Sequence, residues 1–204
     1  MQLPDLTSPR RALCSTCLRP QATCICRWIA PVATRVSLLI LQHPLEVQHA
    51  KGSGRLLHLC LPGSVLVAGE QFDPAALAAL LHEGGRQPVL LYPGAADDPA
   101  VLATPPQGLR LVVLDATWRK SRKMLHLNPA LAALPRLSLR AMPPSHYRIR
   151  KAHGPDQLSS LEAAAYGLMR LEPDHAALAG LLDAFDGFVG QQAGYAANAG
   201  PPSN

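Results

Sequence analysis

The apolar positions of this chain fall into short blocks. Residues 35–42 (RVSLLILQ), 64–69 (SVLVAG), 88–94 (PVLLYPG) and 109–115 (LRLVVLD) are near-continuous apolar runs, and 136–140 (RLSLR) alternates. Runs of this length and composition predict strands buried on both faces. Between and after them the apolar residues take helical spacing, at about 47–60, 74–83, 118–127, 159–171 and 174–190. Asp73-Pro74 reads as an N-cap followed by a first-turn proline. Ser159-x-x-Glu162 reads as a capping box. Strands alternating with helices predict an α/β domain with a mainly parallel sheet flanked by helices.

In such a sheet, ligands bind beyond the carboxyl ends of the strands. The predicted ends are Gln42-His43-Pro44, Tyr92-Pro93-Gly94, Asp115-Ala116-Thr117-Trp118 and Arg140-Ala141-Met142. The blocks also set the organisation. Residues 1–12 read as a flexible leader, 13–30 as a cysteine-rich knuckle, 31–191 as the α/β domain, and 192–204 (QAGYAANAGPPSN) as a flexible tail.

Composition adds limits. Hydrophobic residues make up 48 %, enough for a core. No apolar run reaches the roughly 18 residues of a membrane span, and the first residues lack a signal-peptide pattern. The expectation is a cytoplasmic protein with no membrane association and no obligate protein partner.

Charge changes the picture further. The net charge of +5 is unevenly spread. Arg119, Lys120, Arg122 and Lys123 form one cluster, and Arg148, Arg150 and Lys151 another. On a helix, Arg119, Arg122, Lys123 and His126 share a face. Such stripes suit a phosphate backbone, or are simply a solvated basic face. Tyr147, next to Arg148 and Arg150, offers a ring on which a base can stack.

Four of five cysteines lie in CSTCLRPQATCIC, as Cys14-x2-Cys17-x6-Cys24-x-Cys26. In a reducing compartment that spacing points to metal. Four thiolates make a closed, structural zinc site. An iron–sulfur cluster or a redox pair stays open. Cys60, inside an apolar run, reads as core.

Asp115 ends an apolar run, and Thr117-Trp118 starts a basic helix. Asp115 and Thr117 suit a helix cap. Asp115 also suits a general base at a strand end, and Trp118 a stacking surface. Lys51-Gly-Ser-Gly-Arg55 carries two cations around exposed N–H groups, suited to an anion. There is no Walker motif, no G-x-G-x-x-G after a strand and no G-x-S-x-G, which argues against a nicotinamide dinucleotide enzyme and leaves no P-loop or nucleophile elbow.

Taken together, Asp115-x-Thr117-Trp118 after a buried strand, the Cys cluster, Gln42-His43-Pro44…Glu46, and Tyr147-x-x-Arg150 followed by Ser159-x-x-Glu162 resemble the DTW-domain family. The resemblance covers residues 13–171. It implies a SPOUT-like fold with a trefoil knot. It also implies transfer of the 3-amino-3-carboxypropyl group of S-adenosylmethionine to N3 of a tRNA uridine, releasing 5′-methylthioadenosine. The same resemblance implies Asp115 as the catalytic residue. It puts the donor against Tyr92, Pro93, Asp115, Thr117, Trp118, Ser159 and Ser160. RNA contacts fall to Lys51, Arg55, Arg119, Arg122, Lys123, Tyr147, Arg148 and Arg150, with Lys51 and Arg55 also candidates for the donor carboxylate. Two alternatives stand beside it: a SPOUT-type RNA methyltransferase, and a non-catalytic zinc-containing RNA-binding protein.

Overall fold

The computed structural model describes residues 12–94, 99–147 and 158–198. Its sheet has five parallel strands: β1 (Ser37–Gln42), β2 (Val65–Ala68), β3 (Gln87–Leu91), β4 (Leu109–Asp115) and β5 (Arg136–Leu137). Their spatial order is β2-β1-β4-β3-β5, with β4 in the middle. All seven residues of β4 are buried, which explains why its sequence lacks polar alternation.

Alternate strand residues feed two cores. Leu38, Ile40, Val89, Leu91, Leu111 and Val113 pack on one face with α1 (Gly54–Cys60), α6 (Ser160–Leu171) and α7 (Ala179–Asn198). Leu39, Leu41, Leu90, Val112 and Leu114 pack on the other with α2 (Pro74–Leu81), α4 (Trp118–Leu127) and α5 (Pro129–Ala132). A short α3 (Pro99–Ala103) precedes β4. This is the sheet flanked by helices that the pattern predicts.

Proline at the second position of a strand beside the central one needs explanation, because Pro88 cannot donate to a ladder. Leu90, two residues on, donates from N to Pro135 O, so Pro88 points to the same side. β5 begins level with Leu90 and offers Pro88 no partner, so nothing is lost there.

Two boundaries move. The helix expected over 47–60 begins at Gly54, because Gly52 and the preceding turns interrupt it. The tail expected from 192 is helical to Asn198, and Tyr195 Oη donates to Ala22 O at 2.8 Å. No described helix is long and apolar enough to cross a membrane. Residues 1–11, 148–157 and 199–204 lie outside the described residues, and with them Arg148, Arg150 and Lys151.

Candidate active site and metal centre

A cavity of about 990 Å³ opens beyond the carboxyl ends of β3, β4 and β5. Its walls come from four stretches that the sequence keeps apart: Leu91–Pro93, Val113–Arg122, Leu137–Tyr147 and Leu158–Ala163. Tyr92, Pro93, Thr117, Trp118, Ser159 and Ser160, all expected to contact the donor, line it.

Local structure places each of them. Thr117 caps α4, its Oγ1 accepting from Lys120 N at 3.4 Å, and this aims the helix start at the cavity. Trp118, the first residue of α4, is 43 % exposed and meets Tyr92 edge-on at 5.6 Å. The Arg136 guanidinium lies over the Tyr92 ring at 5.3 Å. The two rings form a corner suited to a flat ligand.

Asp115 is placed differently. It is 5 % exposed and is not among the residues lining the cavity. Gln42 Nε2 donates to its Oδ2 at 2.7 Å. A Cβ added to Gly54 would lie 2.2 Å from that oxygen, so the start of α1 rests on the carboxylate. No Asp, Glu or His lines the cavity among the described residues.

The basic residues of α4 divide into two faces. Arg119 and Arg122 line the cavity. Lys120 Nζ instead meets Glu46 at 2.8 Å, and Lys123 Nζ meets Glu70 at 2.8 Å. His43 completes this second set. Its Nδ1 accepts from Leu45 N, which leaves the proton on Nε2 to donate to Glu70 at 3.0 Å. Lys123, with His43, holds the Glu70 carboxyl below its usual range. Spacing alone does not separate Arg122 from Lys123; the packing of α4 over β1 does.

Glu162 is the functional carboxylate that sequence reasoning treated as a cap alone. It closes the capping box by accepting from Ser159 N at 2.7 Å. It also accepts from Ser145 Oγ at 2.8 Å and His146 N at 2.8 Å. One buried side chain therefore ties two walls of the cavity together. Tyr147, expected to stack on a base, is 7 % exposed; it packs on Phe185 and its hydroxyl donates to Lys51 O.

The Lys51–Arg55 stretch serves as a junction. Arg19 donates to Ala50 O at 2.5 Å and Gly52 O at 2.9 Å, and Arg55 Nη2 to Thr16 O at 2.7 Å. Neither Lys51 nor Arg55 lines the cavity; among the described residues the lining cations are Arg119 and Arg122. The junction is thereby sewn to the cysteine knuckle.

The sulfurs of Cys14, Cys17, Cys24 and Cys26 lie within 4.8 Å of one another. Cys14–Cys26 and Cys17–Cys24 are 3.5 and 3.8 Å apart. A tetrahedron with metal–sulfur bonds of roughly 2.3 Å has edges of about 3.8 Å, so the arrangement fits zinc. Backbone N–H groups of Cys17 and Thr16 hold the Cys14 thiol down to about 6. Burial, then the neighbouring sulfurs, push Cys26 up to about 12. The knuckle seats on α7, where Gln191 Nε2 donates to Cys24 O at 2.9 Å and Trp28 packs over Gly187.

Comparison with known proteins identifies relatives of the chain. The DTW domain model matches residues 11–193. The chain is similar to tRNA-uridine aminocarboxypropyltransferase 2 of Macaca fascicularis, 29 % identical over 85 % of this chain and 61 % of the relative. It is similar to the protein of the same name from Drosophila melanogaster, 34 % identical over 80 % of this chain and 68 % of the relative. Likeness to tRNA-uridine aminocarboxypropyltransferase A of Arabidopsis thaliana is 27 % over 57 % of this chain and 51 % of the relative. The chain thus spans about three fifths of the length of the first of these relatives. No solved structure matches. The motif at Asp115–Trp118, the cavity it borders and a domain match over most of the chain lead to one conclusion: the chain belongs to the DTW-domain family.

Proposed function

We propose that this protein transfers the 3-amino-3-carboxypropyl group of S-adenosylmethionine to N3 of a uridine in tRNA. The observation that carries the reading is the carboxyl-edge cavity, in which Trp118 of the family motif and Tyr92 form an aromatic corner and Arg119 and Arg122 line the wall. Relatives bearing that activity in their names support it.

The reaction needs two things from the chain. The donor's flat adenine takes the Tyr92–Trp118 corner. Its carboxylate takes Arg119 or Arg122, whose planar forks bind such a group in two-pronged fashion. The uridine N3 then attacks the donor carbon next to the sulfonium. A C–N bond forms, the C–S bond breaks with its electrons going to sulfur, and 5′-methylthioadenosine leaves. The N3 proton is taken up by solvent water.

A sulfonium is already a good leaving group, so orientation supplies most of the acceleration. Anchoring the carboxylate fixes which alkyl carbon faces the nucleophile. That choice separates aminocarboxypropyl from methyl transfer. Among the described residues the cavity wall carries no carboxylate or imidazole, so what these residues supply is placement. Asp115 fits that scheme as a positioning residue: it holds the end of β1 through Gln42 and the start of α1 at Gly54. As proton acceptor it would have to leave that packing.

The reading extends to the rest of the chain. A zinc knuckle over 13–30 braces a catalytic unit over 31–191, and α6, which starts at the cavity and packs on β3 and β4, suits a SPOUT-type knotted end. Exposed Lys123, on the other face of α4, meets the tRNA backbone. A cytoplasmic setting suits both tRNA and an unpaired thiol cluster.

Nucleoside mass spectrometry of tRNA incubated with the protein and S-adenosylmethionine tests the activity. A new aminocarboxypropyl uridine supports it; a methyl group, or no change, overturns it.

A further inference from the structure

A second cavity, of about 320 Å³, lies at the opposite, amino edge of the sheet. Thr34–Leu38 before and in β1, Leu61–Val65 before β2, and Glu83, Arg86 and Arg110 line it. Arg110 is the second residue of β4 and is 1 % exposed, in a strand otherwise apolar until Asp115. A guanidinium there is unusual, since buried charges are normally fully paired.

Arg110 is incompletely paired. Its Nη1 meets Glu83 Oε2 at 2.9 Å and donates to Ser37 Oγ at 3.3 Å. Its Nε and Nη2 are buried without a protein partner. These two nitrogens form one edge of the guanidinium, the fork that grips two oxygens of one anion. Arg86 Nε, on the same cavity, is likewise buried and unpartnered. The remaining charges nearby do not satisfy them. Arg35 is taken by Glu172, which also accepts from Val36 N, and Glu83 is mostly exposed and reaches one nitrogen. Two arginines thus face one carboxylate around a cavity that also offers the hydroxyl of Ser37, whose Oγ accepts from Arg110; Thr34 and Ser64 donate instead to Val36 O and His58 O.

We infer that this amino-edge cavity binds a phosphate-type oxyanion between Arg86 and Arg110. The site is separate from the carboxyl-edge cavity and does not depend on the reaction proposed for it. Its volume suits inorganic phosphate or a terminal phosphate group. The phosphate can come from solution or from the RNA backbone, and the chemistry is the same.

Thermal unfolding of the full chain in inorganic phosphate, against chloride at equal ionic strength, tests the inference. Phosphate at about ten times its Kd should raise Tm by several degrees, because a ligand bound to the native state alone stabilises it by mass action. Arg86→Ala, at a half-buried loop position, should weaken apparent phosphate affinity at least tenfold and leave S-adenosylmethionine binding unchanged. Arg110→Gln should remove the phosphate effect; should it fail to fold, Arg86→Ala alone decides. No phosphate-specific stabilisation, or an Arg86→Ala affinity equal to wild type, overturns the site. Adding tRNA then assigns the source: loss of the phosphate increment means that an RNA phosphate fills the site, and its persistence means a free oxyanion.

Discussion

Gln42 and Asp115 are register partners on β1 and β4, and their side chains meet as well, Gln42 Nε2 donating to Asp115 Oδ2 at 2.7 Å. The bond ties the two strand ends from which the loops of the site depart. It also separates two roles for Asp115. Asparagine keeps an acceptor for Gln42 but cannot take a proton. With positioning as the role, Asp115→Asn should retain transfer within about tenfold, with an unchanged pH profile, while Asp115→Ala loses roughly a hundredfold, on the scale of misplaced reactants. Steady-state rates across pH check this; equal loss in both variants would make Asp115 the base.

Gly54→Ala places a methyl group 2.2 Å from Asp115 Oδ2. Overpacking of this kind costs about 1–3 kcal/mol. Combining Gly54→Ala with Asp115→Ala should recover part of that loss, since neighbouring sites are not additive. Denaturant unfolding of the single and double variants measures it.

Glu162→Ala removes an acceptor shared by Ser145, His146 and Ser159. Two of the donors are backbone N–H groups; that of Ser159 loses its partner while buried, that of His146 while part-exposed. The expected cost is about 3 kcal/mol, within the range for hydrogen bonds to a charged group. Ser159 and Ser160 line the donor cavity, so the KM for S-adenosylmethionine should rise more than kcat falls. Equal changes in both constants would argue against a positioning effect on the donor.

Arg119→Ala and Arg122→Ala should raise the donor KM about tenfold or more, as each removes a cavity cation. Lys123→Ala breaks an exposed pair with Glu70, worth less than about 1 kcal/mol. Its stability should hardly change, while its tRNA affinity falls and the salt dependence of binding becomes shallower. Filter binding over a salt series separates the two classes.

Zinc binding must displace protons from the thiols. Cys14, held down at about 6, keeps its thiolate through neutral pH and loses it as pH falls through 6. Cys26, pushed up to about 12, still carries a proton at pH 7.5. Affinity should therefore rise with pH from 6 to 8 and collapse below 6, as measured by competition with a coloured chelator. A flat profile over 6–8 would contradict this assignment. Removing the metal at pH 7.5 should lower Tm and loosen the Lys51–Arg55 junction held by Arg19.

Much of the framework was legible in the sequence because its signals are local. β4 and α4 run over Leu109–Asp115 and Trp118–Leu127, as the apolar run and the cap at Thr117 require. The cysteine cluster declared itself by spacing. Other features depend on contacts far apart in the chain. The split of α4 into an arginine face and a lysine face follows from Glu46 and Glu70, more than 50 residues away. Glu162's reach to Ser145, and the burial of Asp115 beneath Gly54, are equally non-local. Arg110 sits inside a near-continuous apolar run; what it faces is set by the residues around the strand's amino end.

The knuckle's seat on α7 has a consequence for how the chain acquires its structure. Cys24 O and Ala22 O bond to Gln191 and Tyr195, spanning 167 and 173 residues. During synthesis the sulfur cluster therefore emerges early, while the helix that receives it emerges late. Contacts of such separation slow folding, because the loop they close must be ordered first. A metal taken up by these four sulfurs would be loaded long before the domain closes, leaving the knuckle as a preassembled piece for the final helix to dock on.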